Sequence, residues 1–309
     1  MAMLGLMYAA GDGGVARDDK EAVKWFQKAA DAGNSLGMLN LGLMYAEGRG
    51  GLGPDEREAG RWYRKAADAG EPNAMKLVGM LYASGRGGLL RDDVEAVKWF
   101  RRSADAGNTG AMVHLGFFYS EGRGGLRPDD AEAVRLYRAA AERNDANAMV
   151  NYALMLSQGR GGLQADGAQA VMWFQRAADA GSTAAMVKLG FAYMYGMKPL
   201  QVDQPRAVQL YRAAAAKQDP DGLQQLALAT SGGIGGLVRD DAEALRLHRA
   251  AAAAGSAEAM QTLGEYYEEG KGGLLKDLRE AMKWYRRAAD NGFALASFRI
   301  EALRRQGIE

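Results

Sequence analysis

The chain has 309 residues, of which 48% are apolar and 25% charged, with 42 glycines but only six prolines. Its 39 basic and 38 acidic residues leave a formal net charge of +1, without the long-range attraction expected of a dedicated nucleic-acid binder. No cysteine and only two histidines, His114 and His248, exclude disulfides, thiolate metal sites and a histidine-rich metal centre. We therefore expect no nucleic-acid partner, no metal and no cofactor.

The N-terminal residues carry no targeting pattern. No basic leader or cleavage site follows Met1, and no apolar run reaches the roughly 18 residues that a membrane helix needs. We expect no membrane span, and the sequence leaves the compartment open between cytoplasm and periplasm.

The sequence repeats itself with a fixed period. Eight anchor residues stand 37 positions apart, without insertion or deletion: Gly5, Gly42, Gly79, Gly116, Ala153, Gly190, Ala227 and Gly264. A period in this range is typical of helical repeat arrays. The regularity predicts one repeat domain over 1–309 rather than two globular domains.

The first half of each repeat reads as a helix, helix A. In the third repeat Ala74, Met75, Gly79 and Tyr82 have the spacing of one helical face. A mid-helix glycine costs about 1 kcal/mol relative to alanine, so we expect a second helix to approach closely at the anchor. A glycine six residues after each anchor is predicted to end helix A in the left-handed conformation.

An aspartate then opens a second helix, helix B, in every repeat. We expect each to be an N-cap, with a glutamate three residues later completing a capping box in six repeats. The aspartates are Asp18, Asp55, Asp92, Asp129, Asp166, Asp203, Asp240 and Asp277. The five tryptophans share one position of helix B, so we interpret them as core. They are Trp25, Trp62, Trp99, Trp173 and Trp284.

One helix pair cannot bury its own apolar stripe, so the repeats must stack. The predicted fold is all-α: a right-handed superhelical solenoid of eight helix-turn-helix repeats, with helix A lining the concave face. Residues 294–306 are predicted to form a terminal capping helix with a polar surface.

The repeat string Ala-Met-x-x-Leu-Gly-x-x-Tyr-x-x-Gly-x-Gly-Gly, followed by Asp-x-x-Glu-Ala-x-x-Trp-Phe-x-x-Ala-Ala-x-x-Gly, resembles the Sel-one-like repeat family, relatives of the tetratricopeptide repeats. The resemblance covers essentially the whole chain. It implies a scaffold for protein complexes in bacterial signalling, envelope assembly and host interaction, or in eukaryotic protein quality control. One cysteine-rich branch is linked to β-lactam binding, but its cysteines have no counterpart here.

Candidate partner-binding residues are those that vary between repeats on the predicted concave face. The position after the anchor forms an apolar ladder that includes Leu43, Met80, Phe117, Leu154 and Phe191. Such a ladder suits an extended peptide or an amphipathic helix; packing of these side chains against each other is the alternative. Polar candidates two or three positions before the anchor are Asn40, Lys76, His114, Asn151 and Lys188. Repeats 6 and 7 depart most from the pattern, and the adaptable candidates of repeat 6 are Met194 and Tyr195.

Two further sets of cations recur. Arg49, Arg86, Arg123, Arg160 and Lys271 follow the glycine that ends helix A, and we expect them to complement the helix dipole rather than to cradle a phosphate. A second set on helix B is predicted to form a solvated face neutralised by the acids at the start of that helix. It comprises Arg64, Arg101, Arg138, Arg212, Arg249 and Arg286.

The sequence favours a non-catalytic scaffold that binds a protein or peptide in the concave groove, as a monomer or with weak end-to-end association. Neither histidine has a carboxylate and a nucleophile at a recognisable spacing, so no catalytic residue is predicted. Two alternatives remain: a protein that binds or hydrolyses β-lactams, and a purely structural or engineered array.

Overall fold

The computed structural model describes residues 1–308, and these residues form seventeen α-helices and no strand. The helices A are α1 (Ala2–Ala10), α3 (Ser35–Glu47), α5 (Pro72–Ser84), α7 (Thr109–Glu121), α9 (Ala146–Gln158), α11 (Thr183–Tyr195), α13 (Pro220–Gly232) and α15 (Ala257–Glu269). The helices B are α2 (Asp19–Asp31), α4 (Glu56–Asp68), α6 (Asp93–Asp105), α8 (Asp130–Ala141), α10 (Gly167–Asp179), α12 (Gln204–Ala216), α14 (Asp241–Ala253) and α16 (Leu278–Asp290). A last helix, α17, spans Ala296–Arg305.

The helices belong to two compact units, Met1–Ala165 with α1 to α9 and a second that begins at Asp166 with α10 to α17. Within each unit every helix packs against the next one along the chain, and α7 also contacts α9, as α11 contacts α13. This stacking of adjacent helix pairs is the architecture of an α-solenoid. The predicted all-α class is confirmed, whereas the single domain over 1–309 stays a prediction.

The predicted helix boundaries are confirmed. Gly48 ends α3 in the left-handed conformation, with φ 65°, and the other seven glycines at this position do the same in their repeats. All eight aspartates cap helix B; Asp18, for example, accepts from the backbone N–H groups of Lys20 and Glu21. Because these capping residues act on backbone groups a few residues away, they can be recognised in the sequence without knowledge of the tertiary structure.

The prediction that the capping-box glutamate accepts from the backbone N–H of the N-cap aspartate is wrong. The backbone N–H of Asp18 donates to the carbonyl of Tyr8 at the end of helix A, 2.9 Å away, rather than to Glu21. Glu21 instead accepts from Lys24 Nζ at 2.5 Å. The equivalent glutamates form the same ion pair with a cation three residues later; Glu58, for example, pairs with Arg61.

The anchor glycines mark the closest approach of helix A to helix B, as predicted. A Cβ built on Gly79 would lie 2.7 Å from two ring carbons of Phe100, a side chain only 1% exposed. Equivalent rings face the other anchor glycines: Phe26, Tyr63, Tyr137, Tyr211 and Tyr285. The aromatic residue after the tryptophan position is therefore the centre of each hairpin's core.

The interpretation of all five tryptophans as core holds fully for Trp99 and only in part for the other four. Trp99 is 3% exposed, whereas the others are only partly buried. Each indole has a cation from three residues later over its face, at 3.9 to 4.9 Å from the ring centroid: Lys28, Lys65, Arg102, Arg176 and Arg287. The tryptophans thus form an outer layer that is shared between packing and cation–π contact.

Candidate functional site

The position after the anchor exposes apolar side chains on helix A in both units. In the first unit Met80 is 39% and Phe117 44% exposed, and in the second Phe191 and Leu228 are each 38% exposed. Leu43 and Leu154 occupy the same register and are half-buried. The anchor just before each of these residues is buried, so in these six helices A the next residue turns a bulky apolar group at least partly to solvent.

Two of these side chains, Phe117 and Phe191, contact neighbouring aromatic rings. The rings of Phe117 and the buried Phe118 meet edge to face with centroids 6.3 Å apart, and the Arg123 guanidinium lies 4.3 Å from the Phe118 centroid. In the second unit, Phe191 and Tyr195 have ring centroids 5.1 Å apart. Tyr195 is 65% exposed.

Met194, another sequence-predicted residue of repeat 6, is half-buried beside Tyr195 in α11. Met197 follows in the next loop and is exposed. Repeat 6 therefore presents aromatic and thioether side chains together, the combination that adapts most readily to an irregular partner surface.

The polar candidates do not form one cluster. Asn40 donates from Nδ2 to the carbonyl of Leu36 at 2.8 Å, so one donor of its amide is used within its own helix. Among the others, Lys76 and Asn151 are half-buried and Lys188 is exposed. Lys188 is therefore the most accessible polar candidate.

His114 turns toward helix B. Its ring stacks on that of Phe100, with centroids 5.0 Å apart and planes 13° apart. Burial, and secondarily the charge of Lys76, lowers the pKa of His114 below its usual value. The side chain is therefore neutral near pH 7 and packs as a flat aromatic group.

The residue three positions before the anchor was expected to face the groove, and the structure corrects this for most repeats. Leu39, Val150, Val187 and Gln261 are buried, as is Gln224. A rotation of about 100° per residue carries this position into the contact with neighbouring helices.

In the second unit, the buried side chain of Gln224 belongs to a polar network with His248 and Thr262. Gln224 Oε1 lies 2.7 Å from Nδ1 of the buried His248, and Gln224 Nε2 donates to Thr262 Oγ1 at 3.3 Å. Burial lowers the pKa of His248 to about 4. The amide of Gln224 therefore hydrogen-bonds a neutral histidine inside the protein.

The four arginines after helix A pair with acids of the preceding repeat, a role that the dipole interpretation missed, whereas Lys271 pairs with Glu269 of its own repeat. Arg49 Nη2 lies 2.6 Å from Asp19 Oδ1, in the first turn of α2. The same contact recurs as Arg86–Glu56, Arg123–Asp93 and Arg160–Asp130. Through its hydrogen bond, Arg49 lowers the pKa of Asp19 to about 2.

The sequence contains a signal for these pairs. In repeat 6 the arginine position holds Met197, and the matching acid position holds Gly167; the next pair of positions holds Ile234 and Gln204. Cation and acid are lost together, as expected for partners. The interpretation of the recurrent arginines as a structural feature rather than a phosphate cradle is consistent with these pairs.

The arginines of helix B were predicted to form a solvated face neutralised by the acids at the start of that helix, and their contacts agree with this only in part. Arg64, Arg101 and Arg249 each donate to a tyrosine hydroxyl of the following helix A, at 3.0, 2.9 and 3.2 Å. Arg138 pairs with Glu142 at 2.9 Å, an acid at the end of helix B rather than its start. Several of these cations thus tie consecutive repeats together.

Metal and membrane sites do not emerge from residues 1–308. No group of three histidine, aspartate or glutamate side chains in this range is placed to hold a metal ion. None of the helices described has both the length and the apolar character needed to cross a bilayer.

Helix pairs stacked in chain order, with a repeated apolar register on helix A, define an α-solenoid repeat protein. The chain belongs to the Sel1 repeat family. The Sel1 repeat model matches eight consecutive segments: residues 1–34, 35–71, 72–108, 109–145, 146–182, 183–219, 220–256 and 257–293.

Solved structures agree with that assignment. A Sel1 repeat protein from Oxalobacter formigenes is 30% identical over 87% of this chain and 99% of its own, with a TM-score of 0.68. A protective antigen of uropathogenic Escherichia coli with an SLR fold is 29% identical over 100% of this chain and 72% of its own, with a TM-score of 0.58. Yeast Tom70, at 15% identity, shares the fold over 93% of this chain and 59% of its own, with a TM-score of 0.53. No protein of curated function matches the sequence significantly.

Proposed function

We propose that this protein is a non-catalytic scaffold that binds peptide segments of partner proteins on the helix-A faces of its units. The observation that supports this most directly is the exposure of Met80, Phe117, Phe191 and Leu228 at one repeated register. Sel1 repeats, like other helical solenoids, offer extended surfaces suited to protein partners.

The spacing of the register favours an extended peptide. Helices in contact lie about 8–10 Å apart, and an extended polyproline II chain has three residues per turn and rises about 3.1 Å per residue, so every third side chain points the same way. A peptide that crosses successive helices A within one unit would therefore place every third side chain near a ladder residue. Burial of apolar area, worth about 25 cal/mol per Å² before ordering costs, would supply the affinity.

The polar candidates have a supporting role in this proposal. Asn151 and Lys188 lie two residues before the anchor in their repeats, beside the ladder residues Leu154 and Phe191. An amide both donates and accepts, so Asn151 can bind a peptide backbone without selecting its sequence. Lys188, which is exposed, would favour a peptide with an acidic group.

A peptide library displayed on beads tests the proposal. Peptides captured by the wild-type protein should be lost by the Phe117→Glu and Phe191→Glu variants, because a charge at each ladder position opposes apolar burial. Met172→Glu is the matched control, since Met172 is 64% exposed but lies on helix B. Capture that is undiminished in both ladder variants would discard the helix-A face as the binding surface.

The proposed oligomeric state is a monomer with at most weak end-to-end association. Light scattering across a range of protein concentrations tests it, because stacking between molecules must grow with concentration. A constant dimer mass at every concentration would contradict it.

A further inference from the structure

The tryptophan position of helix B shows a pairing rule across the eight repeats. Wherever it holds tryptophan, the residue three positions later is lysine or arginine, and that cation covers the indole. Wherever it holds leucine, the residue three positions later is alanine. These three pairs are Leu136 with Ala139, Leu210 with Ala213 and Leu247 with Ala250. Ring and cation are thus present together or absent together.

Trp99 shows what surrounds such an indole. It belongs to a hydrophobic cluster with Met75 and Val78 of the same repeat. Two guanidinium groups lie over its ring, those of Arg64 and Arg102, at 4.7 and 4.3 Å from the centroid. Arg64 in turn donates to the Tyr82 hydroxyl, so the arginine is held in place at the edge of the indole.

One repeat later the same surroundings line a partly open cavity. It measures about 260 Å³, several times the roughly 30 Å³ that one water molecule occupies in the liquid. Its walls include Arg101, Met112, Leu115, Tyr119, Leu136 and Ala139. Each of these residues stands 37 positions after a member of the Trp99 site: Arg64, Met75, Val78, Tyr82, Trp99 and Arg102.

The polar frame of the site is intact although the indole is missing. Arg101 Nη2 donates to the Tyr119 hydroxyl at 2.9 Å, as Arg64 does to Tyr82 in the occupied site. The floor is apolar and buried, because Met112 and Leu115 are 7% and 3% exposed. Asp105, on the rim, adds a carboxylate that can accept an N–H.

The other two leucine sites lack this frame. At the Leu210 site the arginine position holds Gln175, and at the Leu247 site the tyrosine position holds Thr230. Gln175 hydrogen-bonds to Asp179 at 2.9 Å within its own helix. Of the three leucine sites, the Leu136 site alone combines the guanidinium, the phenol and the missing ring.

The geometry points to an aromatic-binding site in repeats 3 and 4, in which the cavity between α6, α7 and α8 accepts the indole ring of a tryptophan presented by a partner protein. The ring would stand beneath the Arg101 guanidinium against the accessible edge of Met112, with its N–H directed to Asp105. An arginine over an indole face is a favourable cation–π contact, and the protein uses the same contact for its own Trp99. The site lies on the helix-B side, apart from the peptide surface proposed above.

The test uses the full chain with ¹³C-labelled methionine methyl groups, titrated with N-acetyl-tryptophanamide. Met112 is the reporter because its methyl group lies in the site, and a Met112→Leu variant identifies its signal. Ring currents should produce a saturable shift of that signal. A blocked variant, Leu136→Trp with Ala139→Arg, places the protein's own indole in the site and should weaken binding at least tenfold.

The matched control makes the same change elsewhere. Leu247→Trp with Ala250→Arg in repeat 7 should leave the titration of Met112 unchanged. A third variant, Arg101→Gln, removes the guanidinium and its hydrogen bond to Tyr119 but leaves the apolar walls of the site unchanged. It should weaken binding severalfold, which keeps the test decisive if the blocked variant misfolds. The assignment is overturned if the wild type shows no saturable shift, if the blocked variant binds as well as the wild type, or if Arg101→Gln has no effect.

Discussion

Arg123 donates from Nε and Nη2 to the two carboxylate oxygens of Asp93, at 3.0 and 2.8 Å, and so joins the loop after α7 to the first turn of α6 in the preceding repeat. Both side chains are less than one-third exposed. The contact is the bidentate geometry in which an arginine–carboxylate pair is strongest. It is one member of the row of pairs that links consecutive repeats of the first unit.

A double-mutant cycle should measure the interaction between Arg123 and Asp93 as a coupling free energy. We expect Arg123→Met and Asp93→Asn each to lower the free energy of unfolding of the first unit, and the double variant to lose less than the sum. A coupling of about 1 kcal/mol is reasonable for a partly exposed bidentate pair. Urea unfolding of the four proteins measures it, and strictly additive losses would show that the pair contributes nothing.

The acid dependence of these pairs has a defined sign. Because Arg49 lowers the pKa of Asp19 in the folded protein to about 2, the pair stabilises the fold fully above the unfolded value of about 3.9. The contribution fades as the pH falls from about 4 toward 2. The stability difference between the wild type and Arg49→Met should therefore shrink across this interval at low salt. A difference that grows with acid would contradict the assignment.

An added methyl group should destabilise a repeat in which the ring of helix B packs directly on the anchor glycine. Repeat 5, which has Ala153 and Phe174 at these two positions, carries the methyl group with a ring that is 8% exposed, against 1% for Phe100. Gly79→Ala would improve helix propensity by about 1 kcal/mol, but its Cβ would lie 2.7 Å from Phe100. We expect overpacking to dominate and to lower stability by about 1–3 kcal/mol. Thermal unfolding followed by circular dichroism measures the change. Gly33→Ala at the end of helix B is not a suitable control, because Gly33 has a φ of 80°.

A better control for that substitution lies at an exposed helical site. Ser84→Ala, in the last turn of the same helix α5, alters an exposed residue whose hydroxyl bonds only to backbone carbonyls of that helix. It should leave the melting temperature nearly unchanged. Stabilisation by Gly79→Ala would mean that the two helices do not meet as closely as described.

His248 should make the second unit sensitive to mild acid. The folded state keeps its ring neutral, with the pKa lowered to about 4 by burial, whereas the unfolded chain takes up a proton below about pH 6.5. The stability present above pH 6.5 is therefore lost as the pH falls toward 4, by at most about 1.4 kcal/mol per pH unit. Melting temperatures at pH 7, 6, 5 and 4 measure the loss.

His248→Phe isolates that effect from other titrating groups. Repeat 5 already carries phenylalanine, Phe174, at this position together with alanine, Ala153, at the anchor, the combination that the variant creates with Ala227. The variant loses the partner of Gln224 and should be less stable at pH 7. It should nevertheless show a flatter dependence on pH between 6.5 and 4, and an equal dependence in both proteins would rule out His248 as the cause.

Part of the candidate site could be predicted from the sequence. The apolar register Met80, Phe117 and Phe191 follows from the 37-residue period alone, because a residue next to a buried anchor points about 100° away from it. The third position before the anchor was misjudged, and Gln224 is buried there. Its orientation depends on how closely neighbouring helices approach, which no local pattern expresses.

The sequence by itself determined the repeat, its helices, their caps and the close approach at the anchor glycines. Those features rest on contacts within a few residues or on a pattern repeated eight times, so composition and spacing express them directly. The tertiary structure was needed to show that Arg49 contacts Asp19, that four tryptophans lie half outside the core, and that the Leu136 site holds a cavity. These outcomes depend on side chains that belong to different helices, whose distances are set by the packing of one helix on the next.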